Sequence, residues 1–207
     1  MGDTRDLLII RHGETAHNKR RILQPADTPL SDHGREQARL LAERLADAQV
    51  RRIVSSDLAR AAETARALER RTGIAIEWEP LLHERNFGEL RGTAYADLGF
   101  DPFEPGYEPP GGESEVVFRA RVAEAWESVQ RHAAETDGNL AVVTHGLVCR
   151  EFVSAYLEVP SDVDETAYPW PNTCLTIADA APPWRARLIA DATHLDALPP
   201  ATPGAAV

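Results

Sequence analysis

Lysine is almost missing from this chain: of 22 basic residues only Lys19 is a lysine. With the many alanines, this points to a compositional bias of the genome and carries no functional weight. Cysteine is scarce too. Cys149 and Cys174 have neither C-x-x-C nor zinc-ligand spacing, so the sequence builds no disulfide framework and no structural zinc site. Two small apolar residues in a reducing compartment is the plain reading. No apolar run approaches the ~20 residues that span a bilayer, and residues 1–6 lack the apolar region of a secretory signal. A cytoplasmic protein without a membrane partner is expected. Positive charge is in deficit, with a formal net charge of −11. That balance argues against a nucleic-acid partner, because a phosphate backbone demands a basic face. A small phosphorylated ligand needs only a local cluster of cations and stays open.

What is present is an ordinary globular composition, 43% hydrophobic and 27% charged, over a length that fits one domain with a sizeable core. No internal repeat is found. Leu7 to Ile10 reads as a buried strand. Ser31 can cap a helix from about Arg35 to Ala48, with Ala38, Leu41, Ala42 and Leu45 on one face. Arg52 to Ser55 is a second short strand. Ser56 or Asp57 can cap the helix after it, whose inner stripe is Leu58, Ala61, Ala62, Ala65 and Leu68. Ile74 to Trp78 is a weaker strand. From Asp101 to Gly112 there are four prolines and three glycines in twelve residues, the composition of a functional loop or lid. A long helix from Ser114 to His132, a strand ending at Thr144, a helix from Gly146 to Tyr156 and closing strands at Thr173 to Ala178 and Arg185 to Ala190 complete the pattern. Strands alternating with helices predict an α/β layered sheet. The expected organisation is one domain over 1–195, a lid near 101–112 and a disordered proline- and alanine-rich tail over 196–207.

Two strand ends carry the chemistry. Arg11-His12-Gly13-Glu14-Thr15 follows the first strand, with Asn18 one turn on, and Thr144-His145-Gly146 ends the fourth. Chemistry in open α/β folds sits beyond the carboxyl ends of strands. The segment Ser55 to Thr64 puts Arg60 in the first turn of a helix, and Leu82 to Gly88 brings the carboxylate of Glu84 just ahead of the lid. If these ends share one sheet edge, two arginines and two histidines converge into a pocket for a phosphoryl dianion. Arginine supplies planar, permanently charged donors. A neutral imidazole can attack phosphorus, and neighbouring arginines disfavour its protonation. A carboxylic acid can protonate the departing alcohol and then take a proton from water. Each residue alone has an ordinary explanation: a strand-end histidine, a surface arginine, a surface acid, with Glu14 and Glu89 as rival carboxylates. Four such coincidences in order do not.

These segments resemble the histidine phosphatase superfamily, also called phosphoglycerate mutase-like, over roughly residues 5 to 195. The resemblance implies a three-layer α/β/α sandwich on a mostly parallel sheet. It also implies roles: His12 as the phosphorylated nucleophile, Glu84 as the acid/base, and Arg11, Asn18, Arg60 and His145 as the phosphate pocket. No metal and no cofactor are implied. One departure stands out: where the family commonly has a polar residue followed by glycine, this chain has Leu23 and Gln24. Only 61 positions separate Glu84 from His145, and the lid ends Pro109-Pro110-Gly111-Gly112-Glu113-Ser114, similar to the family's small phosphatases. The expectation is therefore a metal-independent phosphomonoesterase acting on a small phosphorylated metabolite. The alternatives are a cofactor-dependent phosphoglycerate mutase and a non-catalytic phospho-ligand binder, the latter favoured if Glu84 lies far from His12. A homodimer is compatible with the chain, and no interface is legible in it.

Overall fold

The computed structural model describes residues 5–161 and 169–198. β1 (Asp6–Arg11), β2 (Val50–Ser55), β3 (Ile76–Trp78) and β4 (Asn139–Thr144) run parallel. β5 (Leu175–Asp179) is antiparallel to β1, and β6 (Ala186–Asp191) is antiparallel to β5. The sheet order is β3-β2-β4-β1-β5-β6, which makes a mostly parallel sheet of six strands.

Alternation along the strands sorts side chains into two cores. Leu7 and Ile9 of β1, with Leu140 and Val142 of β4, face α4 (Glu115–Glu135) and α5 (Gly146–Tyr156). Leu8 and Ile10, with Ala141 and Val143, face α2 (Asp32–Arg44) and α3 (Ala59–Thr72), the short α1 (Ala16–Arg20) lying between β1 and α2 in the chain. The result is the expected three-layer α/β/α sandwich, each face of the sheet covered as near-continuous apolar strands require. Among the described residues no helix is long and apolar enough to cross a membrane.

Several expectations shift in detail. The Ser31-capped helix begins earlier than read, at Asp32, with Ser31 Oγ accepting from Gly34 N–H at 3.0 Å. The helix after β2 is not capped by Ser56 or Asp57: Leu58 holds the N-cap position and makes no side-chain cap bond. Both expected caps are spent elsewhere, Ser56 on His145 and Asp57 on His83. The loop from Asp101 to Gly112 is anchored by Phe103, whose ring packs edge-on against Phe87 (5.5 Å) and Tyr95 (5.4 Å). Of the tail expected from 196 on, residues 199–207 lie outside the described residues.

β1 feeds a crossover to β2 on one side, while the chain leaves β4 for β5 on the other. The gap beyond the carboxyl ends of β1 and β4 is thus the switch point of the sheet, where such folds bind ligands.

Candidate active site

Strand register brings the two histidines together. Arg11 pairs with Thr144 across the β1–β4 ladder, so the residues that follow, His12 and His145, leave the sheet side by side. Their ring centroids lie 5.1 Å apart at an interplanar angle of 58°. The His12 loop is set by bonds to its main chain: His12 N–H donates to Thr144 C=O at 2.9 Å, and Thr173 N–H and the side-chain Nδ2 of Asn172 donate to His12 C=O at 3.2 and 3.1 Å. Gly13 lets that loop press on the start of α2, since a Cβ there would lie 2.6 Å from the Gly34 carbonyl.

The imidazole of His12 is almost completely buried. Its Nδ1 lies 2.7 Å from Gly13 C=O. A carbonyl only accepts, so Nδ1 carries the proton and Nε2 keeps its lone pair. Burial, then the charges of Arg60 and Arg11, push the His12 pKa well below its ordinary value. The ring is a neutral base with one free nitrogen.

Around it stand two buried guanidiniums. Arg11 is held through a bond to Trp170 C=O and Arg60 through one to Pro25 C=O at 3.2 Å. The Nε of each is buried with no partner among the described residues. Burial lowers the Arg60 pKa to about 10, which leaves it charged at neutral pH. His145 is fully buried, its Nε2 2.8 Å from Ser56 Oγ and its Nδ1 without a partner among the described residues.

These groups open onto a cleft that Arg11, His12, Asn18, Arg60 and Glu84 help to line. His145 is not itself among the lining residues, but its ring lies beside that of His12. Asn18 spends its amide oxygen on Thr15 and Asn172, so its NH₂ is the group it can offer. Among the described residues Glu84 is the one carboxylate of the lining. Both of its oxygens accept main-chain bonds, Oε1 from Arg85 N–H at 3.0 Å and Oε2 from Leu147 N–H at 3.2 Å. The rival acids are elsewhere: Glu14 accepts from Ser31 Oγ at 2.8 Å, and Glu89 is exposed. Leu23 and Gln24 both line the cleft, Leu23 otherwise buried and Gln24 accepting from Thr15 Oγ1 at 2.9 Å.

Sequence reasoning missed several contributors. Arg121 of α4 pairs with Glu113 at 2.7 Å and donates to the main-chain carbonyls of Leu81, His83 and Glu84. It fixes the segment that carries Glu84. Tyr95, Phe87, Phe103 and Arg91 join the cleft from segments with no spacing signal. The hydroxyl of Tyr95 stays protonated, its pKa pushed up to about 12 by burial and then by Glu84. Among the described residues no group of three His, Cys, Asp or Glu is placed to hold a metal ion.

The family profile of the histidine phosphatase superfamily (branch 1) matches residues 7–183. The chain belongs to that superfamily. It is 37% identical over 173 residues to a glucosyl-3-phosphoglycerate phosphatase of Mycobacterium tuberculosis, covering 75% of this chain and 77% of that protein. The solved structure of the mycobacterial glucosyl-3-phosphoglycerate phosphatase with VO3 superposes with a TM-score of 0.76 at 29% identity, covering 90% of this chain and 100% of that one. A probable phosphoglycerate mutase of Photorhabdus laumondii is 29% identical over 204 residues, covering 91% of this chain and 94% of the mutase.

Proposed function

We propose that this phosphoric monoester hydrolase of the histidine phosphatase superfamily works without a metal, through a phosphohistidine, on small phosphorylated metabolites. The observation that carries the reading is the His12–Gly13 bond, which leaves Nε2 unprotonated in a cleft that, among the described residues, holds two arginines with unspent Nε donors and a single carboxylate. We read residues 1–195 as one such domain, with 101–112 as its lid, in a cytoplasmic enzyme. The two buried, unpaired cysteines suit that reducing compartment.

The steps follow from the groups. His12 Nε2 attacks phosphorus and the P–O bond to the alcohol breaks. Arg11, Arg60, Asn18 and His145 hold the equatorial oxygens, where phosphoryl transfer gains most from positioned charge. Glu84, as the carboxylic acid, gives its proton to the departing alkoxide. As the carboxylate it then takes a proton from water, whose oxygen attacks phosphorus and breaks the P–N bond. Inorganic phosphate leaves and Glu84 is protonated again. The location of Glu84 in the same cleft supports an enzyme over a binder, since binding alone has no use for a positioned acid.

The test is hydrolysis of p-nitrophenyl phosphate in EDTA by wild type and by His12→Ala. Turnover by wild type alone supports the reading. Equal turnover by both removes His12 from the nucleophile role, and turnover that EDTA abolishes removes metal independence. The same preparations assayed with 3-phosphoglycerate and a 2,3-bisphosphoglycerate primer decide against mutase activity. Glucosyl-3-phosphoglycerate, which names the mycobacterial relative, belongs first in the ester panel.

A further inference from the structure

Ser56 is a hydroxyl that this mechanism does not use, and its surroundings give it a task. It is fully buried at the end of β2, with its own N–H donating to Val143 C=O at 3.0 Å. Among the described residues its Oγ makes two hydrogen bonds, to Leu58 N–H at 3.3 Å and to His145 Nε2 at 2.8 Å. An N–H can only donate, so Leu58 occupies one lone pair of the oxygen. The hydroxyl proton still needs an acceptor, and the imidazole nitrogen is the one within reach. If Nε2–H donated instead, a buried hydroxyl proton would have no partner, which folded proteins avoid.

His145 has one proton to place. Burial and the nearby charge of Arg60 hold its pKa well below the ordinary value, so the ring is neutral. Its Nδ1 is buried and bonded to nothing among the described residues. Five buried side-chain polar atoms lack a partner among the described residues, and three of them are Nε of Arg11, Nε of Arg60 and Nδ1 of His145. A phosphoryl oxygen only accepts, so a bare lone pair on Nδ1 would repel it.

We propose that Ser56 is a positioning residue: its hydroxyl donates to Nε2 of His145 and keeps the proton on Nδ1, which thereby donates to the phosphoryl group carried by His12. The proposal rests on the phosphohistidine reading for its purpose, but the tautomer itself does not. A neutral histidine that must present one particular nitrogen depends on the bond made by the other, as in metal sites and triads.

The deciding measurement is the nitrogen-15 spectrum of the full chain's histidine rings, with His145 assigned by its loss in His145→Asn. Wild type is expected to show a protonated, pyrrole-type Nδ1 and a bare, pyridine-type Nε2. The reverse pattern overturns the proposal. Ser56→Ala is expected to move the proton to Nε2, to lower kcat/KM for p-nitrophenyl phosphate by about 10- to 100-fold, and to weaken inhibition by inorganic phosphate in parallel. Ser56→Thr, which keeps the hydroxyl, should restore the wild-type tautomer. A folded Ser56→Ala protein with wild-type tautomer and rate also overturns it. If Ser56→Ala does not fold, the wild-type spectrum decides alone. Wild type inert toward p-nitrophenyl phosphate would count against the phosphohistidine reading, and the spectrum would still settle the role of Ser56.

Discussion

The main-chain N–H of Leu147 donates to Oε2 of Glu84 at 3.2 Å. One bond thus ties the only carboxylate that lines the cleft among the described residues to the helix that begins directly after His145, and the acid is carried by the same rigid unit as the phosphate pocket. Glu84→Gln keeps the shape and removes the proton. For alkyl phosphates kcat is expected to drop on the order of 10²- to 10⁴-fold, the usual contribution of a positioned acid. For p-nitrophenyl phosphate, whose leaving group departs without a proton, the loss should be far smaller. Steady-state rates across a series of leaving groups check this, and equal damage throughout would take the acid role from Glu84.

The pH dependence follows from His12. Its reactive form is neutral, and its pKa lies well below 6.5 through burial and the charges of Arg60 and Arg11. Protonation of the nucleophile therefore sets in only at pH well under 6.5, and kcat/KM should show no acid limb near that value. Arg60→Gln removes one of the two charges, so the limb should move to higher pH. The variant should also lose on the order of 3 kcal/mol of transition-state stabilisation. A pH–kcat/KM profile of both proteins tests the coupling, and an acid limb at the same pH in each would refute it.

How much of this was legible in the sequence divides along physical lines. The strands β1 and β4 are short apolar runs ending in charged residues, and that pattern located both histidines. The helix stripes after Ser31 and Ser56 gave the layers, because apolar spacing of 3.6 is a local property. Convergence was not local: that His12 and His145 are neighbours depends on the pairing of Arg11 with Thr144, 133 positions apart. Arg121 was invisible for the same reason, as an arginine on an amphipathic helix looks like any solvated residue until the Glu84 segment is packed against it. Ser56 was misread in an instructive way. Its residue type fits a helix cap, and only the fold reveals that His145 competes for it.

Buried histidines make stability fall in acid. His194 donates from Nε2 to Thr173 Oγ1 at 3.0 Å and accepts at Nδ1 from Arg44 at 3.2 Å. Burial, then Arg44, lowers its pKa to about 4, against 6.5 in an unfolded chain. Below 6.5 the unfolded state binds a proton that the folded state refuses, so stability rises with pH across this window. The contribution is whole above pH 6.5 and is lost as pH falls toward 4. His12 and His145 act with the same sign. The urea midpoint should therefore drop between pH 7 and pH 5, and His194→Gln should flatten that slope. Equal slopes in the two proteins would contradict the assignment.

Arg121 is expected to support the reaction without touching the substrate. Its guanidinium bonds the carbonyls of Leu81 and His83 at 2.8 Å each, that of Glu84 at 3.4 Å, and the Glu113 carboxylate. Glu113 in turn receives Asn86 N–H at 2.8 Å, so both ends of the Glu84 segment hang on one ion pair. Arg121→Met keeps most of the apolar stem and leaves those carbonyls and the carboxylate without their donor. A stability loss of about 1–3 kcal/mol is the ordinary cost of stranding such groups, readable as a lower urea midpoint. The diagnostic readout is kinetic. If Arg121 holds Glu84 in register, the variant's kcat should fall more for alkyl phosphates than for p-nitrophenyl phosphate, echoing Glu84→Gln on a smaller scale. A loss of stability with the same kcat ratio as wild type would make Arg121 a structural clamp with no part in placing the acid.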